Sequence, residues 1–282
     1  MDKGSGIMEV HRPESLEEAV RLLSRPDVPT VPLFVSPRPT EMPPPGASAA
    51  VDPSRLGLDV VRLTGRGLGL GSAATLEAIL KSPIGRTPAG ALIQEACRTT
   101  AHSVLRAVAS VGGVVGCGEP SDLLLALLAL DAMCIAQGTV PREVPLAGFS
   151  SDFGELLLEV RIPLPRGDSG VALERVARTP RDRSIVAVAA MLELDGAVCI
   201  RARLALSGVA PRATRWRTAE ALMEGKSLIS EGIARAAATV EMEAHPQSDH
   251  LGCTEYRRTV GVVLARRAVT AAWERARSSQ AS

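Results

Sequence analysis

Apolar residues first recur at helical spacing in Leu16, Ala19, Val20, Leu22 and Leu23, behind the capping pair Ser15 and Glu18, and this predicts a short amphipathic helix over Pro13 to Leu23. Pro26 ends it. Nine prolines then fall within the 28 residues from Pro26 to Pro53, a density that forbids a helix and removes amides a sheet interior needs, so an extended, rigid loop is expected there. Leu68 to Leu76 reads as a strand turning into a helix capped by Ser72 or Thr75. An apolar helix is expected at about Ala89 to Ala109, then a turn at Gly112-Gly113, then a second helix from Ser121-Asp122 through the apolar block Leu123 to Leu130. Gly154 to Pro163 alternates like a strand, and the turn formers from Pro163 to Gly170 break the chain. Beyond them, Ser184 to Leu194 and Ala197 to Leu206 flank Asp195-Gly196, the strongest hairpin signal in the sequence. Helices are expected at about Thr218 to Met223, Ile229 to Glu243 and Glu255 to Ala276. The fold class is α+β in two parts, 1–165 (subdivided near 63) and 166–282.

Composition narrows the partners. The 282 residues carry 32 basic and 31 acidic side chains, a net charge of +1, so no strong basic field exists to gather nucleic acid or anionic lipid. Neither is expected as a partner. Six aromatic residues (Phe34, Phe149, Phe153, Trp216, Tyr256 and Trp273) leave the core to Leu, Val, Ala and Ile and leave little for base stacking. The apolar block at Leu123 to Leu130 is far short of the roughly 20 residues that span a bilayer. Met1 to Met8 contains no apolar signal core, and the five cysteines form no CxxC, so a cytoplasmic setting with neither disulfide framework nor metal site is expected.

Few residues name a chemistry. The glycines at 65, 67, 69 and 71 alternate and never give GxGxxG, so a dinucleotide-binding reading fails on spacing. His245, Asp249, His250 and Cys253 are metal-ligand types without a zinc spacing. Cys97 and His102 lie too far round a helix to pair as nucleophile and base, and no GxSxG elbow exists. The run Arg175, Arg178, Arg181 and Arg183, set against Asp182, reads as a solvated loop before an anion or partner site. Gly112-Gly113 reads either as a tight corner or as a residual anion nest.

A collinear series of segments carries more. Pro13-Glu-Ser-Leu-Glu-Glu-Ala19, the strand and helix at Leu68 to Leu76, Val104 to Gly113, Pro120-Ser-Asp-Leu123 with Ala126 to Ala132, Ser248-Asp249 and Tyr256-Arg-Arg258 together resemble the FAD-binding medium subunit of the molybdenum hydroxylases, the carbon monoxide dehydrogenase and xanthine dehydrogenase type. The resemblance runs from about residue 8 to 276. It implies an oxidoreductase-family subunit that holds FAD and works with an iron–sulfur subunit and a large molybdopterin subunit. An intact member passes electrons from iron–sulfur clusters through FAD to an external acceptor.

In such proteins the flavin pyrophosphate lies between two glycine loops, because glycine lets backbone N–H groups approach phosphate closely. The first usually reads Ala-Gly-Gly-Thr or Ala-Gly-Gly-Gln; here Val31 to Pro39 has neither glycine, adds Pro32, Pro37 and Pro39, and brings Phe34 and Val35 to the approach. The second, usually Thr-Ile-Gly-Gly-Asn, is Ser110-Val-Gly-Gly-Val114 here. An Arg-Asn pair upstream becomes Arg106-Ala107. Asp122 matches an acidic residue directed at the adenosine half of FAD, and its place at a helix start suits capping equally. Glu174 or Arg175 falls where a flavin-facing Lys is usual. The resemblance thus implies a residual cofactor half-site of Ser110, Gly112, Gly113 and Asp122, with FAD binding impaired or lost and a scaffold or accessory role. The alternative is a stand-alone enzyme or small-molecule binder that reuses an emptied flavin cleft lined by Phe34, Val35, Arg106 and Val114. No acid, base or nucleophile names a catalytic residue.

Overall fold

Ser15 caps helix α1 (Leu16–Leu23): its hydroxyl accepts the Glu18 N–H at 3.1 Å, and Glu18 reaches back to the Glu14 N–H at 3.0 Å. The computed structural model describes residues 9–37, 46–150, 154–180 and 182–280, so Pro39, Phe153 and Arg181 of the sequence reading lie outside the described residues. Strand β1 (Glu9–His11) precedes α1, and β2 (Thr30–Pro32) and β3 (Ala49–Val51) follow it in a parallel sheet of order β1-β3-β2. The proline-rich stretch is therefore not loop throughout. Ala49 to Val51 has no proline, keeps its amides, and is fully buried as the central strand, while Pro32 closes the edge strand β2.

Strands β4 (Val61–Thr64) and β5 (Gly67–Gly71) form a hairpin, and Thr75, not Ser72, caps the next helix, α2 (Leu76–Lys81), by accepting the Ala78 N–H. The single helix expected over residues 89–109 is two: α3 (Pro88–Thr100) and α4 (Ser103–Arg106), broken where Ala101 turns extended. Helices α5 (Val111–Cys117) and α6 (Asp122–Ala129) follow. Strands β6 (Met133–Gln137) and β7 (Pro141–Pro145) pair with each other, and β8 (Leu156–Pro163) completes an antiparallel-rich sheet of order β4-β5-β8-β6-β7. The first compact unit comprises Met1–Ser82, Ser103–Gly118 and Met133–Ile162; the second comprises Pro83–His102, Glu119–Ala132 and Pro163–Ser282.

The second unit is built on β9 (Asp168–Val176), β10 (Val186–Asp195) and β11 (Val198–Ser207), with the Asp195-Gly196 turn joining the last two as expected. Short β12 (Thr214–Arg215) and β13 (Lys226–Ser227) pair with β11. Every residue from Val186 to Leu194 is buried, because the sheet is covered on both faces. Val186, Val188, Ala190, Leu192 and Leu194 join a core with α7 (Arg217–Met223), α8 (Ser230–Glu243) and α9 (Thr254–Gln280), while Ala187, Ala189 and Met191 point the other way, where α3 and α6 meet the sheet. Gly170 is the point of closest approach: a side chain there would run into the Ala272 carbonyl of α9. Burial pushes the Cys134 and Cys199 thiols up to about 12, so both are packing groups. No single helix among the described residues is long and apolar enough to cross a membrane.

Arg257 pins α9 to the sheet, donating to the Ile185 carbonyl at 2.7 Å and to Asp249 at 2.6 Å. Burial raises the Asp249 carboxyl, but the Leu251 and Gly252 amides and the Arg257 guanidinium outweigh it and hold the group at about 2 against an ordinary 3.8. A depressed carboxylate stabilises the fold above its unfolded value, and that contribution is lost as pH falls through the folded one. Asp249→Asn is therefore expected to lower Tm at pH 7, with the gap from the parent protein closing between about pH 4 and pH 2. Thermal melts across that range check it, and a gap independent of pH would contradict the assignment.

Candidate functional site

The residues from Ala109 to Gly112 run as a short strap through the first unit. The Ala109 carbonyl accepts the Leu76 N–H at 3.0 Å, the Ser110 N–H donates to the Val35 carbonyl at 3.0 Å, Val111 to Ala74 at 3.0 Å, and Gly112 to Ser72 at 2.7 Å. Helix α5 then starts, with Ser110 as its cap: the hydroxyl accepts the Gly113 N–H at 3.2 Å and the Ser110 carbonyl accepts the Val114 N–H at 3.0 Å. Gly112-Gly113 is thus the first turn of a helix and not a turn between helices. The serine cap, two positions earlier, was the signal for it.

A helix start ordinarily leaves its first N–H groups without partners, which is what suits it to anions. Here Val111, Gly112, Gly113 and Val114 each have a partner within the unit. The glycines serve another contact. A β-carbon on Gly112 would stand 2.7 Å from two ring carbons of Phe34, and one on Gly113 would run into the Val35 carbonyl. Segment 33–36 therefore lies directly on the glycine pair, with Phe34 buried between exposed Leu33 and Val35. Ser110, Gly112, Gly113, Val114, Phe34 and Val35 lie together in the first unit, packed on one another. Arg106 sits on α4 with its Nε 3.4 Å from Glu77, and Ala107 offers no polar group beside it.

Asp122 belongs to the second unit, at the first position of α6. Ser121, not Asp122, is the cap, accepting the Leu124 N–H at 3.2 Å. The Asp122 carboxylate is buried; Ser184 Oγ donates to Oδ1 at 2.7 Å, and Arg175 Nε lies 3.1 Å from Oδ2 and 2.8 Å from Ser184 Oγ. Arg175, one of the two residues the resemblance leaves at the usual lysine position, is the one that meets Asp122, and Ser184 had no motif to announce it. Of the other arginines of that run, Arg178 pairs with Asp182 and Arg183 with Asp249, and Arg181 lies outside the described residues. Cys97 is buried on α3, and His102 is exposed beyond its end. A cavity of about 810 Å³ in the first unit is lined by Arg25, Thr30, Gly138, Val140, Arg142 and Glu155 among others, and by none of Phe34, Val35, Arg106 or Val114.

Comparison with known proteins places this geometry. Residues 6–165 match the FAD binding domain in molybdopterin dehydrogenase, and residues 172–272 match the CO dehydrogenase flavoprotein C-terminal domain. The chain belongs to the FAD-binding medium-subunit family of the molybdopterin dehydrogenases. The carbon monoxide dehydrogenase medium chain of Afipia carboxidovorans is 28% identical over 294 residues, covering 97% of this chain and 99% of that one. The 6-hydroxypseudooxynicotine dehydrogenase complex subunit alpha of Paenarthrobacter nicotinovorans is 32% identical over 202 residues, 68% of either chain. Among solved structures, carbon monoxide dehydrogenase of Hydrogenophaga pseudoflava superposes with a TM-score of 0.85 at 26% identity, over 96% of this chain and 98% of that chain.

In this medium chain the Gly113 contact is backbone on backbone, which leaves nothing soft to yield. Gly113→Ala is expected to destabilise the protein by about 1 to 3 kcal/mol, the usual range for overpacking, despite alanine's better helix propensity. Denaturant titration measures it; an unchanged midpoint would mean that segment 33–36 does not rest on this helix.

Proposed function

We propose that this medium chain is a subunit of a molybdenum-hydroxylase-type dehydrogenase that has lost most or all FAD binding and acts as a scaffold or accessory component. Its partners in this reading are an iron–sulfur subunit and a large molybdopterin subunit, the kind of assembly implied by relatives that are medium chains and complex subunits. The observation that carries the reading is the state of the second glycine loop. A pyrophosphate needs several converging N–H groups near 2.9 Å. The N–H groups of Val111 to Val114 are all engaged within the chain, and the face of Gly112 is covered by the Phe34 ring. The residual half-site of Ser110, Gly112 and Gly113 thus supports helix capping and packing in place of phosphate contact. Asp122 adds to this, since Ser184 and Arg175 already occupy its carboxylate.

FAD does not fit the residues as they stand, because the N–H groups of Val111 to Val114 are engaged and the Phe34 ring lies on Gly112. The alternative of an emptied flavin cleft reused by another small molecule draws no support from the cavity of the first unit, which is lined by other residues.

The purified protein is expected to be colourless, and micromolar FAD is expected to leave its Tm unchanged. Ligand at 100 times Kd adds about 2.7 kcal/mol by mass action, so true binding would raise Tm by several degrees. A flavin absorption spectrum, or that rise, would overturn the loss of FAD. For the scaffold role, affinity-tagged chain drawn from its native cells is expected to carry a molybdopterin-containing large subunit; recovery of the chain alone would count against it.

A further inference from the structure

The cavity of about 810 Å³ in the first unit lies away from the glycine pair. It opens where β2 and β3 begin: Pro29, Thr30 and Gly46 line it, and the Pro29 carbonyl there accepts the Ser48 N–H at 2.9 Å. Segment 33–36, which carries Phe34 to the glycines, leaves β2 at its other end. Parallel sheets ordinarily offer ligands the carboxyl ends of their strands, so this cavity is no part of that crevice. The rest of its lining comes from the end of α1, the β6–β7 turn and the entry to β8, and its volume falls within the range of roughly 300 to 1,000 Å³ usual for small-molecule sites.

Two guanidiniums and one carboxylate carry the charge of the lining. Arg142 gives its Nε, at 3.0 Å, and its Nη2 to Glu155 and lies over the Phe149 ring, 5.6 Å from the centre, so its plane is fixed. Its Nη1 has no partner among the described residues. Arg25 is held by the Leu22 carbonyl at 3.3 Å, Glu9 at 3.2 Å and the buried Thr30 hydroxyl at 3.3 Å, all longer than the usual length of about 2.9 to 3.0 Å. Glu9 stands outside the lining with half its side chain in water, where an ion pair offsets little of a charge. The lining thus bears one net positive charge, from two guanidiniums against Glu155, and Leu23, Pro26, Pro29 and Val140 add apolar surface to it.

We propose that this cavity is a binding site for a small organic monoanion, a carboxylate with an apolar body, whose carboxylate meets the Nη1 of Arg142 and the loosely held head of Arg25. The planar fork of an arginine matches a carboxylate, and a group fixed in advance loses little freedom on binding it. A doubly charged phosphate would bring one more negative charge than the lining balances. The apolar residues give the rest of such a molecule a surface to leave water against. The site is separate from the flavin question and stands whether or not FAD binds.

Calorimetric titration of the full chain with 2-naphthoate, and with 2-naphthamide as its uncharged counterpart, tests the site. Naphthoate is expected to bind with a sub-millimolar Kd and naphthamide about tenfold more weakly, the factor that one charge-assisted hydrogen bond supplies. Arg142→Gln is expected to weaken naphthoate about tenfold and to leave naphthamide unchanged. Val140 lines the cavity yet is 73% exposed, so a change there spares the core and carries the test if Arg142→Gln fails to fold. Val140→Asp is expected to weaken naphthoate severalfold and Val140→Lys to strengthen it, with naphthamide indifferent to both. No heat at millimolar naphthoate, equal affinity for acid and amide, or naphthoate affinity unmoved by every substitution would overturn the proposal. Inorganic phosphate bound as tightly as naphthoate would overturn it too, since neither a single charge nor an apolar body would then be required.

Discussion

The approach of the Val35 carbonyl to Gly113 is the constraint on which the candidate site depends. Two backbones can come that close only where no β-carbon stands between them, which accounts for Gly113, while the Phe34 ring on its face accounts for Gly112. Once the strap at 109–112 lies against segment 33–36 on one side and against Ser72 and Ala74 on the other, its amides are committed. Helix α5 then starts with its first turn already satisfied by Ser110 and its neighbours. The N–H groups of Val111 to Val114 are thereby all taken up by hydrogen bonds within the first unit.

The same economy governs the charges. Asp131, at the end of α6, holds a left-handed φ of 53°, which a short polar side chain tolerates better than most. Its carboxylate meets Arg203 at 2.6 Å, Arg201 at 3.3 Å and Arg215. Burial raises this acid, and the three guanidiniums more than reverse that, so it stays ionised. Arg215 in turn holds the buried Glu220 at 2.6 Å. Asp122 with Arg175, and Asp249 with Arg257, repeat the arrangement. Removing one partner from such a pair leaves a buried charge uncompensated, so these groups are bound to structural duty. The near balance of 32 basic and 31 acidic residues is in keeping with charges that are largely used internally.

Much of the fold was legible because local signals sufficed. The Ser15 and Glu18 pair, the Asp195-Gly196 turn between two apolar runs, and the continuous apolar block of α6 each specify an element through neighbours within a few residues. The collinear series of segments led to the family that the domain matches confirm. Other elements were hidden for a physical reason. Strand β3 has only three residues and owes its existence to β1 and β2 on either side; β6 and β7 likewise stand by pairing with each other and with β8. The break at Ala101 leaves no proline or glycine as a sign, since the chain there turns extended under tertiary contacts.

For the site, the sequence by itself determined which groups of the family pattern it lacks: the first-loop glycines, the amide at Val114 and the lysine where Glu174 or Arg175 falls. These are properties of residue identity, and no packing restores a donor that the chain does not contain. Only the tertiary structure decided what became of the groups that remain. Whether the Gly112 and Gly113 amides face outward or inward, whether Asp122 is open or paired, and whether Phe34 stands aside or lies on the glycines depend on partners 62 to 78 positions away, such as Ser184 for Asp122 and Phe34 for Gly112. Contacts at that separation form only when the chain closes on itself, because hydrogen bonds and ring packing act over a few ångströms and leave no periodicity in the sequence.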